Sequence, residues 1–183
     1  MSASMECHGL RSSQLPRTNK LYSCYFDGFS RVAPFYAHPP TEEGLLASAR
    51  EVSSNANMRA QVVKILREQN RQFGVDASVL HNLDRLAAGA LAVVTGQQVG
   101  LFSGPAYSFY KALTAVRAAQ HLSNVGHETV PIFWLATEDH DLEEVNHTFW
   151  LGRGPQLSRI ALETPDGAVG SPVGEILLGD AAL

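Results

Sequence analysis

The stretch of residues 91–146 decides the fold: it starts with LAVVTGQQVGLFSGP (91–105) and ends with TVPIFWLATEDHDLEEVN (129–146). Residues 91–95 are a short apolar, β-branched run between Gly89 and Gly96, which is typical of a strand buried on both faces. Residues 129–137 form a second apolar run, and Pro131 lies near its start, where a strand tolerates proline. The stretch therefore predicts two strands.

A helix is predicted between the two strands. Pro105 suits its first turn, because the missing N–H would have no helical partner there anyway, and Gly126 suits its end. Apolar side chains recur every three or four residues and predict the face that packs on the sheet: Ala106, Phe109, Tyr110, Leu113 and Val116. A strand, a helix and a strand with a short return make a βαβ unit, whose strands lie parallel with a right-handed crossover.

The composition is that of an ordinary soluble globular chain. The 183 residues are 45% hydrophobic and 17% charged, which is enough for one sizeable core. The formal net charge is −4 and no block of Lys or Arg exists, so we expect no nucleic-acid partner. No run approaches the ~20 apolar residues of a membrane span. Because Cys7 and Cys24 are also isolated, we expect a cytoplasmic protein that binds no membrane.

The regions around the βαβ unit predict its setting. Residues 1–20 are polar and unpatterned, and we expect a flexible N-terminus there. Residues 21–89 predict a mainly helical lead-in, in which an aromatic-rich segment at 21–36 packs onto a core and Thr41 and Asp76 cap helices. After the unit at 90–146, residues 147–183 predict the start of a further β segment, with strands at 147–151 and 159–162, a turn at 165–167 and another element from residue 170. Two parallel strands alone leave sheet edges uncovered, so we expect a fragment of a longer protein.

The first candidate site is the glycine-rich turn after the first strand. Its glycines permit positive φ and a close approach of the backbone to a ligand. Its glutamines and the N-terminus of the next helix favour an anion such as phosphate or carboxylate. The turn matches neither the Walker A motif nor GxGxxG, and the alternative is a tight turn with exposed glutamines. The candidate substrate-binding residues at this edge of the sheet are Thr95, Gly96, Gln97, Gln98, Gly100, Gly104, Tyr107, Lys111, Thr137 and Asn146.

The second candidate site is the acidic cluster after the second strand. In an open parallel sheet, ligands bind beyond the carboxyl ends of the strands, and both polar clusters begin there. A histidine among carboxylates suits proton transfer or an electrostatic role on an amine nucleophile. The candidate catalytic residues are Glu138, Asp139, His140 and Asp141.

Two alternatives stay open for the acidic cluster. We assign no metal site, but His140, Asp141, Glu144 and His147 offer nitrogen and oxygen ligands for a divalent ion, although their spacing matches no established motif. Glu143 and Glu144 also suit the start of a helix, because carboxylates are favourable at its positive end.

These residues resemble a known family. VVTGQQVGLFSGPAYSFYKALTAVRAA (93–119), followed by VPIFWLATEDHDLEEVNH (130–147), is similar to the signature region of the bacillithiol biosynthesis cysteine-adding enzymes, the BshC cysteine ligases. The segments FDGF (26–29), PFY (34–36) and SPVGEI (171–176) are similar to that family as well. The resemblance extends from residue 21 to the end and is strongest over residues 92–147.

The resemblance implies an α/β fold with a Rossmann-like parallel sheet core, related to the nucleotidyl-transferase domain of class I aminoacyl-tRNA synthetases. It implies a ligase that joins the carboxyl group of cysteine to the amine of glucosaminyl malate, the last step in the synthesis of this low-molecular-weight thiol. It leaves ATP open as a co-substrate, since the HIGH-type signature of the synthetases is absent. It also implies a homodimer in longer members, formed through a coiled coil that this chain lacks.

Two rival functions remain beside the ligase. The chain could be a non-catalytic module that binds a small molecule or nucleotide with the same pocket. It could also be a metal-dependent hydrolase that uses the acidic cluster. Metal content and binding without turnover discriminate these functions from the ligase.

Overall fold

The computed structural model describes residues 9–154, 156–163, 167–168 and 170–177. The chain divides into two compact units, Met1–Met58 and Arg59–Leu183. Cys7 and most of the turn expected at 165–167 lie outside the described residues. Within the described part, no helix is both long and apolar enough to cross a membrane.

The first unit is helical. It contains α1 (Lys20–Asp27), α2 (Glu42–Glu51) and 3-10 turns at Ser12–Gln14, Phe29–Arg31 and Ala33–Phe35. Thr41 caps α2 as predicted, because its Oγ1 accepts a hydrogen bond from Gly44 N at 3.2 Å. The aromatic rings stack mainly on one another: the centroids of Tyr25 and Tyr36 are 4.7 Å apart, while Phe26 is 51% exposed. The aromatic-rich segment therefore forms a small cluster of its own.

The second unit contains the strands and holds most of α3. Its elements in chain order are α3 (Ala56–Gln72), α4 (Ala77–Ala87), β1 (Leu91–Gln98), α5 (Tyr107–Asn124), β2 (Thr129–Ala136), α6 (Leu142–Val145), β3 (His147–Leu151) and β4 (Leu157–Ala161). Asp76 caps α4 as predicted, since its Oδ1 accepts from Ser78 N at 2.8 Å.

β1 and β2 lie side by side and parallel, with Leu91 opposite Thr129 and Gln98 opposite Ala136. α5 connects them and packs against both strands. On the other face, α3 and α4 cover the start of the pair in a core formed by Val63, Leu83, Leu86, Ala90 and Val130. The predicted βαβ unit is confirmed, and it brings the carboxyl ends of both strands to one edge.

The prediction that β1 is buried on both faces is wrong. Val94 is 58% exposed, and so is Trp134, which lies on the same face of the strand pair. The core made by α3 and α4 reaches only as far along the strands as Val130 and Ile132. A β-branched run identifies a strand, whereas the cover on each face depends on elements that are distant in sequence.

The predicted packing face of α5 is also wrong. Phe109 is 59% exposed, Tyr110 69% and Leu113 59%. The buried residues of α5 are instead mostly small ones: Ser108, Ala115, Ala119 and Leu122. This face lies about 150° around the helix from Phe109, Tyr110 and Leu113, since each residue turns the helix by about 100°. Small side chains let a helix approach a sheet closely, and hydrophobicity alone does not detect that preference.

β3 and β4 form an antiparallel hairpin, with His147 opposite Ala161 and Leu151 opposite Leu157. β3 has the predicted bounds, whereas β4 was expected at residues 159–162 and is found at Leu157–Ala161, since its pairing with β3 begins with Leu157 opposite Leu151. The element expected from residue 170 contains a 3-10 turn at Val173–Glu175.

Candidate functional site

Two neighbouring glutamines at the end of β1 serve opposite sides of the sheet. Successive side chains of a strand point to opposite faces, so Gln97 and Gln98 diverge. Gln97 faces α5, where its Oε1 accepts a hydrogen bond from Lys111 Nζ at 2.7 Å. Lys111 Nζ also donates to Gly96 O at 3.2 Å and lies 5.0 Å from the centroid of the Tyr107 ring. This side of the strand end therefore carries a positive charge held by neutral oxygens and a π face.

Gln98 faces the acidic cluster. Its Nε2 donates to Asp139 Oδ2 at 2.7 Å and to Glu144 Oε2 at 3.1 Å, so one amide links the end of β1 to the segment after β2. Asp139 Oδ1 also accepts from Asp141 N at 3.0 Å. The hydrogen bonds from Asp141 N and from Gln98 lower the pKa of Asp139 from its ordinary value of 3.8. Asp139 is therefore ionised at neutral pH.

The glycine-rich turn lies between these two sides. Phe102, Ser103 and Gly104 have φ of 51°, 72° and 74°, so three consecutive residues have positive φ. A Cβ at Gly100 would lie 2.9 Å from Gly104 Cα, which explains why a glycine is required there. The turn thus folds its backbone tightly against itself between the end of β1 and the start of α5.

A small cavity opens at this edge of the sheet. Its volume is about 50 Å³, and its lining consists of Gln97, Gln98, Gly100, Gly104, Pro105, Tyr107, Glu144, Val145 and His147. Ligand pockets for whole cofactors measure hundreds of Å³, so this space fits one functional group, such as a carboxylate or an amine.

The structure places the remaining candidates around this cavity in different ways. Asp141 Oδ1 accepts from Glu144 N at 3.2 Å and so caps α6. Asn146 Nδ2 donates to Leu162 O at 3.3 Å and helps to hold the β3–β4 hairpin. Glu138, His140 and Thr137 are exposed, and within the described part of the chain the His140 ring makes no hydrogen bond. Thr95 pairs with Phe133 inside the strand pair.

The four residues considered as metal ligands do not form a ligand set. Across residues 9–154, 156–163, 167–168 and 170–177, no three His, Cys, Asp or Glu side chains are placed to hold an ion. His147 instead uses Nδ1 for contacts with Glu143 O at 3.1 Å and Asn146 Oδ1 at 3.3 Å. Glu143 and Glu144 do begin a helix, as the simpler interpretation had it.

Sequence reasoning missed two parts of the site. Glu144 was considered only as a helix start or a metal ligand, yet its carboxylate accepts from Gln98 and lines the cavity. The second part is a strap at Val173–Glu175: Val173 N donates to Asp139 O at 2.7 Å, and Gly174 N donates to Thr137 O at 2.9 Å. Backbone contacts of this kind leave no residue-type signal beyond a small residue at Gly174, whose Cβ would lie 2.7 Å from Thr137 Cβ.

The fold and the site define a Rossmann-like domain with a polar site at the carboxyl ends of two parallel strands. The sequence model described as "Bacillithiol biosynthesis BshC, N-terminal Rossmann-like domain" matches residues 5–182, so the chain belongs to the BshC family.

Relatives support this assignment. The chain is 42% identical over 172 residues to a protein of Solibacter usitatus (strain Ellin6076) named "Putative cysteine ligase BshC", a match that covers 90% of this chain and 32% of the relative. Proteins with the same name from Koribacter versatilis (strain Ellin345) and Symbiobacterium thermophilum are 35% and 39% identical, covering 90% and 76% of this chain and 31% and 26% of those relatives. The chain thus spans about a third of the length of these curated relatives.

Proposed function

We propose that this chain carries the amine-binding site of a ligase that adds cysteine to glucosaminyl malate in the last step of bacillithiol biosynthesis. The observation that carries the proposal is the Gln98 amide, which holds the carboxylates of Asp139 and Glu144 together beside the cavity that Gln98 and Glu144 line. Paired carboxylates on a neutral donor are suited to a protonated amine, whose charge they offset. Membership of the BshC family supports the choice of substrates.

The chemistry gives each acidic residue a role. Amide formation requires an activated carboxyl carbon and a deprotonated amine. Asp139, which is ionised at neutral pH, receives the amine in its ammonium form, and the exposed His140 beside it takes one proton, which frees the nitrogen lone pair. The nitrogen then forms the new bond to the carboxyl carbon of activated cysteine, and the activating group leaves with its electron pair. The nitrogen loses its second proton to the leaving group or to water as the amide forms. Glu138 and Asp141 add negative charge to the same edge.

The opposite side of the strand end suits the acidic part of the substrate. Lys111 Nζ bonds only neutral acceptors in the described residues, so its charge is available to a carboxylate. Glucosaminyl malate carries both an amine and carboxylates, which matches a site that is negative at Gln98 and positive at Lys111. In this arrangement Gln97 and Tyr107 position Lys111, and the remaining binding candidates, Thr95, Gly96, Thr137 and Asn146, shape the edge around the substrate.

Thiol accumulation in cells tests the proposal. The protein that carries this chain is expressed in a strain that lacks its own cysteine-adding enzyme, and bacillithiol is measured after fluorescent labelling. We expect the wild-type protein to restore the thiol, and we expect Glu144→Gln and His140→Ala to reduce it by about tenfold or more, a typical loss for a group that positions or deprotonates the nucleophile.

Glu143→Gln is the matched control, because Glu143 precedes Glu144 on α6 and its carboxylate meets no donor within the described residues. It should leave the thiol level unchanged. Equal thiol levels in Glu144→Gln and Glu143→Gln would refute the amine site. Tight binding of glucosaminyl malate by purified protein without any thiol in cells would favour the non-catalytic module.

A further inference from the structure

A buried hydroxyl without a partner lies behind the glycine-rich turn. Ser108, in the first turn of α5, is only 7% exposed. Its Oγ has no hydrogen-bond partner among the described residues. A serine in a helix ordinarily bonds a backbone carbonyl one turn earlier or caps the helix start. Leaving a buried hydroxyl unpaired costs free energy, so such a group calls for an explanation.

The hydroxyl faces the space that the turn leaves open. A Cβ built on Gly104 would lie 3.5 Å from Ser108 Oγ and 3.8 Å from Gly100 Cα. Gly100 and Gly104 both line the cavity. The missing side chain at Gly104 therefore leaves a cradle between the cavity and the Ser108 hydroxyl.

The electrostatics of this cradle favour an anion. α5 is 18 residues long, and no side chain of the described part of the protein caps its start at Ala106. The positive end of the helix dipole is thus uncompensated, and a helix N-terminus of this length attracts negative oxygen atoms. Lys111, one turn further along the same helix, adds a positive charge bonded to neutral oxygens.

We propose that Ser108 is a substrate-positioning residue whose hydroxyl donates a hydrogen bond to an oxyanion seated at Gly104, at the start of α5. This inference rests on the proposed function for the nature of the ligand: the oxyanion is a carboxylate oxygen of one of the two substrates or a phosphate oxygen of an activating nucleotide. Glu144, which lines the same cavity, attracts the amine end of such a molecule.

Binding of small anions to the purified protein tests the assignment. L-malate, L-cysteine and inorganic phosphate are titrated separately by calorimetry into the wild-type protein and into Ser108→Ala. We expect at least one of the three to bind, and its affinity to fall about tenfold or more in the variant, because a hydrogen bond to a charged group is lost. If Ser108→Ala binds malate or cysteine more weakly than the wild type does, the oxyanion at Gly104 is a carboxylate. If only phosphate binds more weakly, the oxyanion belongs to a phosphoryl group.

The unfolding temperature separates this role from a structural one. Without anion, Ser108→Ala should unfold at the same temperature as the wild type or higher, because the removed hydroxyl made no bond in the described structure. Ser123→Ala is the control on the same helix: Ser123 Oγ accepts from Thr129 N at 3.0 Å and donates to Thr129 O at 3.2 Å. This control should unfold at a lower temperature and keep the anion affinity of the wild type.

The outcomes also separate this inference from the proposed function. Ser108-dependent anion binding in a protein that restores no thiol in cells would support the anion site and refute the ligase. Unchanged affinity of Ser108→Ala for all three anions, or no binding of any of them by the wild type, would overturn the anion site, whatever the cells show.

Discussion

The two sides of the β1 end differ in what they hold, although adjacent glutamines build them. Gln97 accepts a hydrogen bond from the ammonium group of Lys111, and Gln98 donates hydrogen bonds to the carboxylates of Asp139 and Glu144. An amide side chain can do both, because it carries an acceptor and two donor hydrogens. Because side chains alternate along the strand, these contacts lie on opposite faces. We call Gln97 and Lys111 the positive half-site, and Gln98, Asp139 and Glu144 the negative half-site. Two identical residue types at one strand end can therefore hold opposite charges on opposite faces of the sheet.

Gly96→Ala should have the largest effect, a loss of stability, because the added methyl group pushes β1 and β2 apart and these strands carry both half-sites. The added Cβ would lie 2.8 Å from Trp134 Cβ and 2.9 Å from Trp134 O. Overpacking of this kind costs about 1–3 kcal/mol. Denaturant unfolding should show this loss, whereas Gly154→Ala, whose Cβ would meet nothing within 4 Å, should unfold as the wild type does. Equal midpoints for the two variants would contradict the close contact at Gly96.

Gly174→Ala should damage the negative half-site alone. Its Cβ would lie 2.7 Å from Thr137 Cβ and 3.2 Å from Thr137 O, so the strap must move away from the end of β2. The hydrogen bond from Val173 N to Asp139 O is then lost or lengthened. We expect about tenfold weaker binding of the amine substrate, since a displacement of about 1 Å is costly at such sites. NMR signals of the Asp139 backbone should shift, while those of Lys111 should not; shifts at both would mean that the half-sites are coupled.

The comparison also explains what the sequence could reveal. The βαβ unit was predictable because Gly89, Gly96 and Gly126 delimit apolar runs of the right length, and the polar strand ends followed from that topology. The different hydrogen-bond partners of Gln97 and Gln98 were not predictable, because they depend on which face of the sheet α5 covers. That face was misjudged, since Phe109 and Leu113 are more hydrophobic than Ala115 and Ala119 but are too large for a close approach to the strands.

Contacts between segments that are distant in the chain also could not be predicted from the sequence. Glu144 reaches Gln98 across 46 positions of sequence, and the strap at Val173 reaches Asp139 through backbone atoms alone. A carboxylate near the start of a helix is usually explained by the helix dipole, so the contact of Glu144 with Gln98 was not predicted. Ser108 could not be singled out from the sequence for a different reason: only the burial of its hydroxyl without a partner distinguishes it from any other helical serine.

Gln98→Leu and Gln97→Leu form a matched pair of variants that tests whether the two half-sites are electrostatically separate. Loss of the Gln98 amide should raise the pKa of Asp139 toward 3.8, but not fully, because the hydrogen bond from Asp141 N, which lowers this pKa most, remains. Gln97→Leu should leave this pKa unchanged, since Gln97 contacts Lys111 instead. Titration of the carboxyl carbon of Asp139 by NMR measures both. A rise of similar size in the two variants would show that the two half-sites share one electrostatic environment.

The smallest expected effect is the contribution of Asp139 to acid stability. Its folded pKa is lowered below 3.8, so its contribution is fully present above the unfolded value and is lost as the pH falls through the folded value. The difference in urea midpoint between the wild type and Asp139→Asn should therefore be constant from neutral pH to about pH 5 and should shrink below pH 3.8. A difference for Asp139→Asn that grows toward low pH would reverse the sign of the argument, because it would mean that the fold favours the protonated carboxyl and that the negative half-site carries no charge to offer an amine.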